Sequence, residues 1–186
     1  MATNKLLFTI ASNERLMSRI KDRRYAMFIA VFTGLPLDLQ KDRQVGLFFT
    51  TDPDRSSSTN SLTNGPPTDR DFFILAHPIE NELVVETSDV YDPFQSQTLA
   101  HMTGVGFLSK IMSFDDVEYL LRQIPIPPKR LHPDFNCQHW TGLALEKLRN
   151  NFVITVDQYE KAMDGMVEGI SDATDEPEPV LEAIPV

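Results

Sequence analysis

Residues 133–148 read Pro133-Asp134-Phe135-Asn136-Cys137-Gln138-His139-Trp140-Thr141-Gly142-Leu143-Ala144-Leu145-Glu146-Lys147-Leu148. A proline-rich segment leads into this stretch and apolar residues at helical spacing follow, which predicts a loop and then an amphipathic helix. Either Asp134 or Asn136 can cap that helix, because a short polar side chain accepts hydrogen bonds from the free amides of the first turn. The stretch therefore predicts a helix that begins at Cys137.

Cys137 is the only cysteine in the chain, and it falls in the first turn of this predicted helix. Free backbone amides and the helix dipole favour an anion there, so a thiol pKa of about 8.5 can fall to roughly 3.5–7.5. The thiolate is the nucleophilic form, which makes Cys137 a candidate catalytic residue. The alternative is a small hydrophobic core residue beside Trp140, a common role for a free cysteine. The local pattern leaves both interpretations open.

The sequence Asn136-Cys137-Gln138-His139-Trp140, followed by leucines at helical spacing, resembles the nucleophile box of the permuted papain-like cysteine enzymes. That group includes the lecithin:retinol acyltransferase family and the PPPDE deSUMOylating peptidases. The box is more similar still to that of a group of uncharacterised fungal proteins with the same Asn-Cys-Gln sequence. The resemblance extends loosely over residues 25–150. It implies a permuted papain-like fold in which Cys137 is the nucleophile.

The chain before this box contains short apolar runs of the kind that form β-strands. These runs lie at residues 25–32, 43–50, 72–77, 82–87 and 101–108, and Pro78 is expected to end the third. Helices are predicted at residues 12–24, at residues 114–124 after the cap Ser113, and from Thr155 onward. The predicted fold class is therefore α+β, an antiparallel sheet of four to six strands packed with helices.

At 186 residues the chain is long enough for one domain with a sizeable core. We predict a single domain over residues 1–170. A polar loop at residues 52–71 is predicted to be mobile, because it cannot bury enough apolar surface to order itself. Residues 171–186 hold five acids and no base, and are predicted to be a disordered acidic tail.

The net charge of −10 is concentrated in that tail, since residues 1–170 hold 22 acids against 17 bases. The sequence has no basic patch interleaved with aromatic residues and no apolar run of about 20 residues, so neither nucleic-acid binding nor a membrane span is expected. The apolar run at residues 6–11 is too short and wrongly flanked for a secretion signal. One cysteine excludes an internal disulfide framework. We therefore expect a cytoplasmic protein.

In the enzymes that the box resembles, the catalytic base is a histidine at the head of an early strand. The matching residues 44–47 read Gln-Val-Gly-Leu, so Gln44 stands where that base is expected. A glutamine donates hydrogen bonds but carries no proton to and from a thiol at neutral pH. The resemblance offers His77 instead, because a second histidine occurs on the next strand in a setting like Ala76-His77. We predict a Cys137–His77 dyad with Gln44 as a polar helper; the alternative is that His77 is an ordinary strand-end histidine.

Four further residues are expected to line the substrate site: Asn136, Trp140, Phe48 and Phe73. No metal is expected, because the four histidines are scattered without metal-ligand spacing. No cofactor is expected either, since the only glycine pair that suggests a dinucleotide site, in residues 104–106, lacks a third glycine. Glu82 and Glu86 alternate with apolar residues, which is typical of a solvated strand face rather than of an acid–base pair.

Three functions fit these residues. The first is a cysteine hydrolase or acyltransferase that uses Cys137 and His77, with Gln44 assisting. The second is a repurposed pocket that steers cyclisation or isomerisation of a small molecule, suggested by the fungal resemblance because such proteins can accompany secondary metabolism. The third is a degenerate relative that binds a peptide or protein partner without catalysis. The expected ligand is thus a small molecule or a peptide.

Overall fold

The computed structural model describes residues 24–51, 71–80 and 82–174. Within these ranges the chain forms a five-stranded sheet and three α-helices. The strands are β1 (Ala26–Phe32), β2 (Gln44–Thr50), β3 (Phe72–Ile79), β4 (Glu82–Ser88) and β5 (Leu99–Phe107). The helices are α1 (Phe114–Arg122), α2 (Cys137–Asn150) and α3 (Val156–Ser171), and short 3-10 helices lie at Gln40–Asp42 and Pro93–Gln95.

The strand order is β4-β3-β2-β1-β5, and every neighbouring pair is antiparallel. Strands β1 to β4 follow one another across the sheet, and β5 then returns to pair with the free side of β1. The predicted α+β class, with an antiparallel sheet of four to six strands packed with helices, is confirmed. The resemblance to the permuted papain-like enzymes stays a prediction.

The two faces of the sheet have different neighbours, because successive side chains of a strand point to opposite faces. The helices cover one face, where they form the main core with Val45, Leu47, Phe49, Phe72, Ile74 and Ala76 of β2 and β3. The other face carries a smaller cluster built on Ala30, Phe32, Phe48 and Phe73. By this alternation Gln44 and His77 belong to the face opposite the helices.

Gly46 allows the second face to pack closely. A methyl group at this position would collide with the ring of Phe73 on the neighbouring strand. In the β2–β3 ladder Gly46 pairs with Leu75, and Phe48 pairs with Phe73. The Phe73 ring therefore lies diagonally across β2 and fills the space that the glycine leaves, on the face that carries Gln44 and His77.

The strand and helix bounds agree with the predicted ones to within about two residues, and the end of β3 is one of the places where they differ by two. Pro78 does not end that strand, because it pairs with Leu83 and β3 continues to Ile79. The β2–β3 ladder has already stopped at the Gly46–Leu75 pair. Beyond that pair β3 has only β4 as a neighbour, so a residue without an N–H group removes no ladder hydrogen bond on the β2 side.

Several predicted segments lie outside the described residues: the helix at 12–24 up to residue 23, positions 52–70 of the loop, and positions 175–186 of the tail. The predicted tail starts too early. Helix α3 runs to Ser171, Ala173 is buried, and the N–H of Thr174 donates to the carbonyl of Asp38 at 3.1 Å. The folded part therefore continues to Thr174.

Candidate functional site

Helix α2 begins at Cys137, as the sequence predicts, and its cap is Asn136 rather than Asp134. The Oδ1 atom of Asn136 accepts hydrogen bonds from the backbone N–H groups of Gln138 at 3.1 Å and His139 at 3.2 Å. Each bond satisfies a first-turn amide that has no partner within the helix. The cap fixes where the helix starts, and so places the thiol of Cys137 in the first turn.

Three side chains of α2 attach the start of this helix to the start of β2. The Sγ of Cys137 donates to the carbonyl of Arg43 at 3.6 Å, and Nε2 of Gln138 donates to the same carbonyl at 3.1 Å. One turn later, Oγ1 of Thr141 donates to the carbonyl of Val45 at 3.2 Å. Two residues of the box, Cys137 and Gln138, and Thr141 just after it therefore join the helix to the strand.

The thiol of Cys137 is buried, with 6% of the residue exposed. Burial raises the pKa of this thiol above its ordinary value, and the backbone N–H groups of Val45 and Gln138 oppose that rise. Desolvation beside β2 therefore outweighs the lowering of a thiol pKa that the first turn of a helix can cause. Burial favours the protonated form of this thiol.

An open cleft of about 1530 Å³ lies at the end of the sheet where β1 and β3 end and β2 and β4 begin. Five of the predicted site residues line it: Gln44, Phe73, His77, Asn136 and Cys137. The other two do not. Trp140 is fully buried in the main core and Phe48 is buried in the smaller cluster, so neither side chain lines the cleft.

Gln44 and His77 enter the cleft from the start of β2 and the end of β3. Each stands two residues beyond the final Gly46–Leu75 pair of the β2–β3 ladder, on the sheet face opposite α2. Among the described residues, no hydrogen bond joins Cys137 to either side chain; its sulfur donates to Arg43 instead. The cleft brings the three residues to one opening, and the Cys137–His77 dyad stays a prediction.

His77 has a carboxylate neighbour that sequence reasoning missed. Its Nε2 lies 2.8 Å from Oε2 of Glu86, although the two groups are not aligned as a hydrogen bond, and Nε2 has no other partner among the described residues. The contact follows from the register of the β3–β4 ladder, in which His77 pairs with Val84 and Leu75 pairs with Glu86. His77 and Glu86 are therefore diagonal neighbours on one face of the sheet.

The interpretation of Glu86 as part of a solvated strand face is only partly right. The side chain of Glu86 is 56% exposed, but it lines the cleft and contacts His77, whose side chain is 24% exposed. Pairing the two predicted strands through the turn at residues 80–81 would have found it, because the turn sets which residues face each other across the hairpin. A histidine beside a carboxylate is the arrangement that orients a general base.

Among the described residues, no group of three or more His, Cys, Asp or Glu side chains is placed to hold a metal ion. The described helices are all too short or too polar to cross a membrane.

Comparison with known proteins gives one match. Residues 78–155 match the model of DUF6540, a family of unknown function. The matched segment includes Glu86 and the Asn136-Cys137 box, begins one residue after His77, and leaves out Gln44. The comparisons matched no curated protein and no solved structure.

Proposed function

We propose that the protein catalyses proton transfer on a small molecule bound in the cleft, the chemistry of an isomerisation or cyclisation. The contact between His77 and Glu86 inside the cleft carries this proposal. Histidine is the side chain that gains and loses a proton near neutral pH, whereas burial raises the pKa of the Cys137 thiol.

In this proposal His77 removes a proton from carbon and returns it at another atom, so the substrate is rearranged and no group is lost. Glu86 holds the ring in position during the two steps, because its Oε2 lies 2.8 Å from Nε2 of His77. Gln44 stands on the same face of the sheet and donates a hydrogen bond to the oxygen on which negative charge develops. These roles need no thiolate.

The test uses 5-nitrobenzisoxazole, which opens to a coloured cyanophenolate when a base removes its ring C–H proton. We expect the protein to accelerate this elimination, and His77→Ala to lower the rate by about 10²-fold, the low end of what a positioned base contributes. The matched control is His132→Ala, at an exposed histidine in the loop before α2. An unchanged elimination rate in His77→Ala would contradict the proposal.

Acyl transfer by Cys137 is the second candidate. It is favoured by the presence of Cys137 and His77 in one cleft, and by the backbone N–H groups of Val45 and Gln138, which approach the sulfur and would stabilise a thiolate. In that reaction the sulfur attacks a carbonyl carbon, the alcohol or amine leaves with a proton from His77, and water releases the acyl group.

4-Nitrophenyl acetate separates the two candidates. Acyl transfer predicts a burst of one nitrophenolate per protein molecule, an acetyl group on Cys137 by mass spectrometry, and loss of both in Cys137→Ser. Proton transfer predicts no burst, and elimination of 5-nitrobenzisoxazole that survives Cys137→Ser. Should neither probe react faster than in buffer, the cleft is that of a binding protein, the third possibility from the sequence.

A further inference from the structure

Phe152 has a backbone conformation that aromatic residues rarely adopt. It directly follows Asn151, the C-cap of α2, and its φ is 58°. Its N–H donates to the carbonyl of Arg149 at 2.9 Å, and the next N–H, of Val153, donates to the carbonyl of Leu148 at 2.9 Å. Helices that end with such a pair of hydrogen bonds usually have glycine in the place of Phe152. A bulky aromatic residue there is strained, which indicates a role beyond ending the helix.

The side chain of Phe152 is 76% exposed, and two further exposed apolar residues accompany it: Ile111 at 55% and Val156 at 57%. Val156 begins α3, four residues along the chain. Ile111 follows Lys110, whose Nζ lies 5.9 Å from the centre of the Phe152 ring and donates to the carbonyl of Asn151 at 2.5 Å. We call Ile111, Phe152 and Val156 the helix-end patch. A group of exposed apolar side chains marks an interaction surface more often than a single one does.

The first described residues of the chain lie next to this patch. The N–H of Leu108 donates to the carbonyl of Tyr25 at 2.8 Å, and the N–H of Ser109 donates to the carbonyl of Val153 at 2.8 Å. Tyr25 is therefore close to the patch, because Val153 directly follows its phenylalanine. Residues 12–23 come just before this point, and as the helix that the sequence predicts they would be about 18 Å long. That length is sufficient to cover the patch.

We propose that residues 12–23 dock on the helix-end patch through Leu16, Met17 and Ile20. In the predicted helix these three side chains lie within about 100° of one another, which makes one apolar stripe. Docking removes apolar surface of both partners from water, and Phe152 is then the anchor of the contact. The patch is separate from the cleft, so this inference does not depend on the proposed function.

Photo-crosslinking in the full chain tests the contact. Phe152→p-benzoylphenylalanine keeps an aromatic ring at the patch, and irradiation at low protein concentration should join that ring to residues 12–23 of the same molecule. The matched control is Tyr119→p-benzoylphenylalanine on α1, where the residue is 72% exposed, and it should not reach that segment. Crosslinks from position 152 that join two molecules, or that miss residues 12–23, would overturn the proposal.

Hydrogen exchange gives a second measurement. We expect the amides of residues 12–23 to exchange about tenfold faster in Met17→Asp than in the wild type, because a helix of this length is marginal without a packing partner. Phe152→Asn should have the same effect, since asparagine tolerates a positive φ and only the ring is lost. Ser18→Asp adds the same charge on the opposite face and should leave the exchange unchanged. Equal acceleration in Ser18→Asp, or none in the other two variants, would contradict the docking.

Discussion

Cys137 shows at the scale of one residue how position and environment compete. The first turn of a helix favours an anion, but this sulfur is buried against the start of β2 and donates to the carbonyl of Arg43. The carboxamide of Asn136 already accepts from the amides of Gln138 and His139, so the thiol shares the Gln138 amide with it. Burial therefore dominates, and it raises the pKa of the thiol.

The raised pKa of Cys137 makes folding sensitive to alkaline pH. A group whose pKa is higher in the folded state contributes stability that is complete below the unfolded pKa, about 8.5 for cysteine, and is lost as pH rises. We therefore expect the free energy of unfolding to fall between pH 8 and 10, and to fall less in Cys137→Ser. Urea unfolding of both proteins at the two pH values measures this. An equal decline in both would show that burial of the thiol is not the cause.

At the scale of elements, the box joins α2 to β2 more than it exposes a nucleophile. Asn136 caps the helix, and Cys137, Gln138 and Thr141 donate to carbonyls at the start of the strand. The same strand end also presents Gln44 to the cleft. The docking of the helix thus sets the distance between the two walls of the site.

Loss of the Asn136 cap should destabilise the protein without changing its fold. We expect Asn136→Ala to lower the free energy of unfolding by about 1 kcal/mol, the usual cost of losing such a cap. Asn136→Asp keeps an acceptor oxygen and should stay near the wild-type value. Equilibrium unfolding in urea compares the three proteins, and an alanine variant as stable as the aspartate variant would contradict the role of the cap.

At the scale of the whole molecule, Arg43 connects four parts of the chain. Its carbonyl accepts from Cys137 of α2, its guanidinium pairs with Asp38 at 2.6 Å, and it also donates to the carbonyl of Gly169 in α3. The N–H of Thr174 donates to the carbonyl of Asp38, so the chain after α3 is held at the same place. A single buried arginine thus links the β1–β2 connection and β2 to helices α2 and α3.

The pair also gives the molecule a defined response to acid. The hydrogen bond from Arg43 holds the pKa of Asp38 at about 2. A group with a lowered pKa contributes stability that is present above the unfolded value, about 3.9 for aspartate, and is lost as pH falls through the folded value. We expect Asp38→Asn to be less stable at pH 7 and to lose less stability between pH 4 and pH 2 than the wild type.

Thermal unfolding between pH 2 and pH 7 measures that response, with Asp164→Asn at an exposed position of α3 as the control. Parallel curves for wild type and Asp38→Asn would exclude the ion pair as the source of the acid sensitivity.

The fold was predictable because its signals are local. Apolar runs mark β1 to β5, and the polar cap before Cys137 marks the start of α2. The site was less predictable, because it depends on which face a side chain occupies and which residue lies across from it. Glu86 reaches His77 only through the register of the β3–β4 hairpin. Trp140 was expected in the site because it belongs to the box, but its position along the helix turns it into the core.

The outermost strand β4 supplies one wall of the cleft, and its residues at 82, 84 and 86 are exposed while those between them are half-buried. Such an edge tolerates exchange of its outward side chains at positions 82 and 84, since they bury little surface, whereas Glu86 contacts His77. A combinatorial library at positions 82 and 84 would vary the surroundings of His77 on a constant scaffold. Directed evolution towards new ligands should therefore begin on this strand, and leave the junction of α2 with β2 untouched.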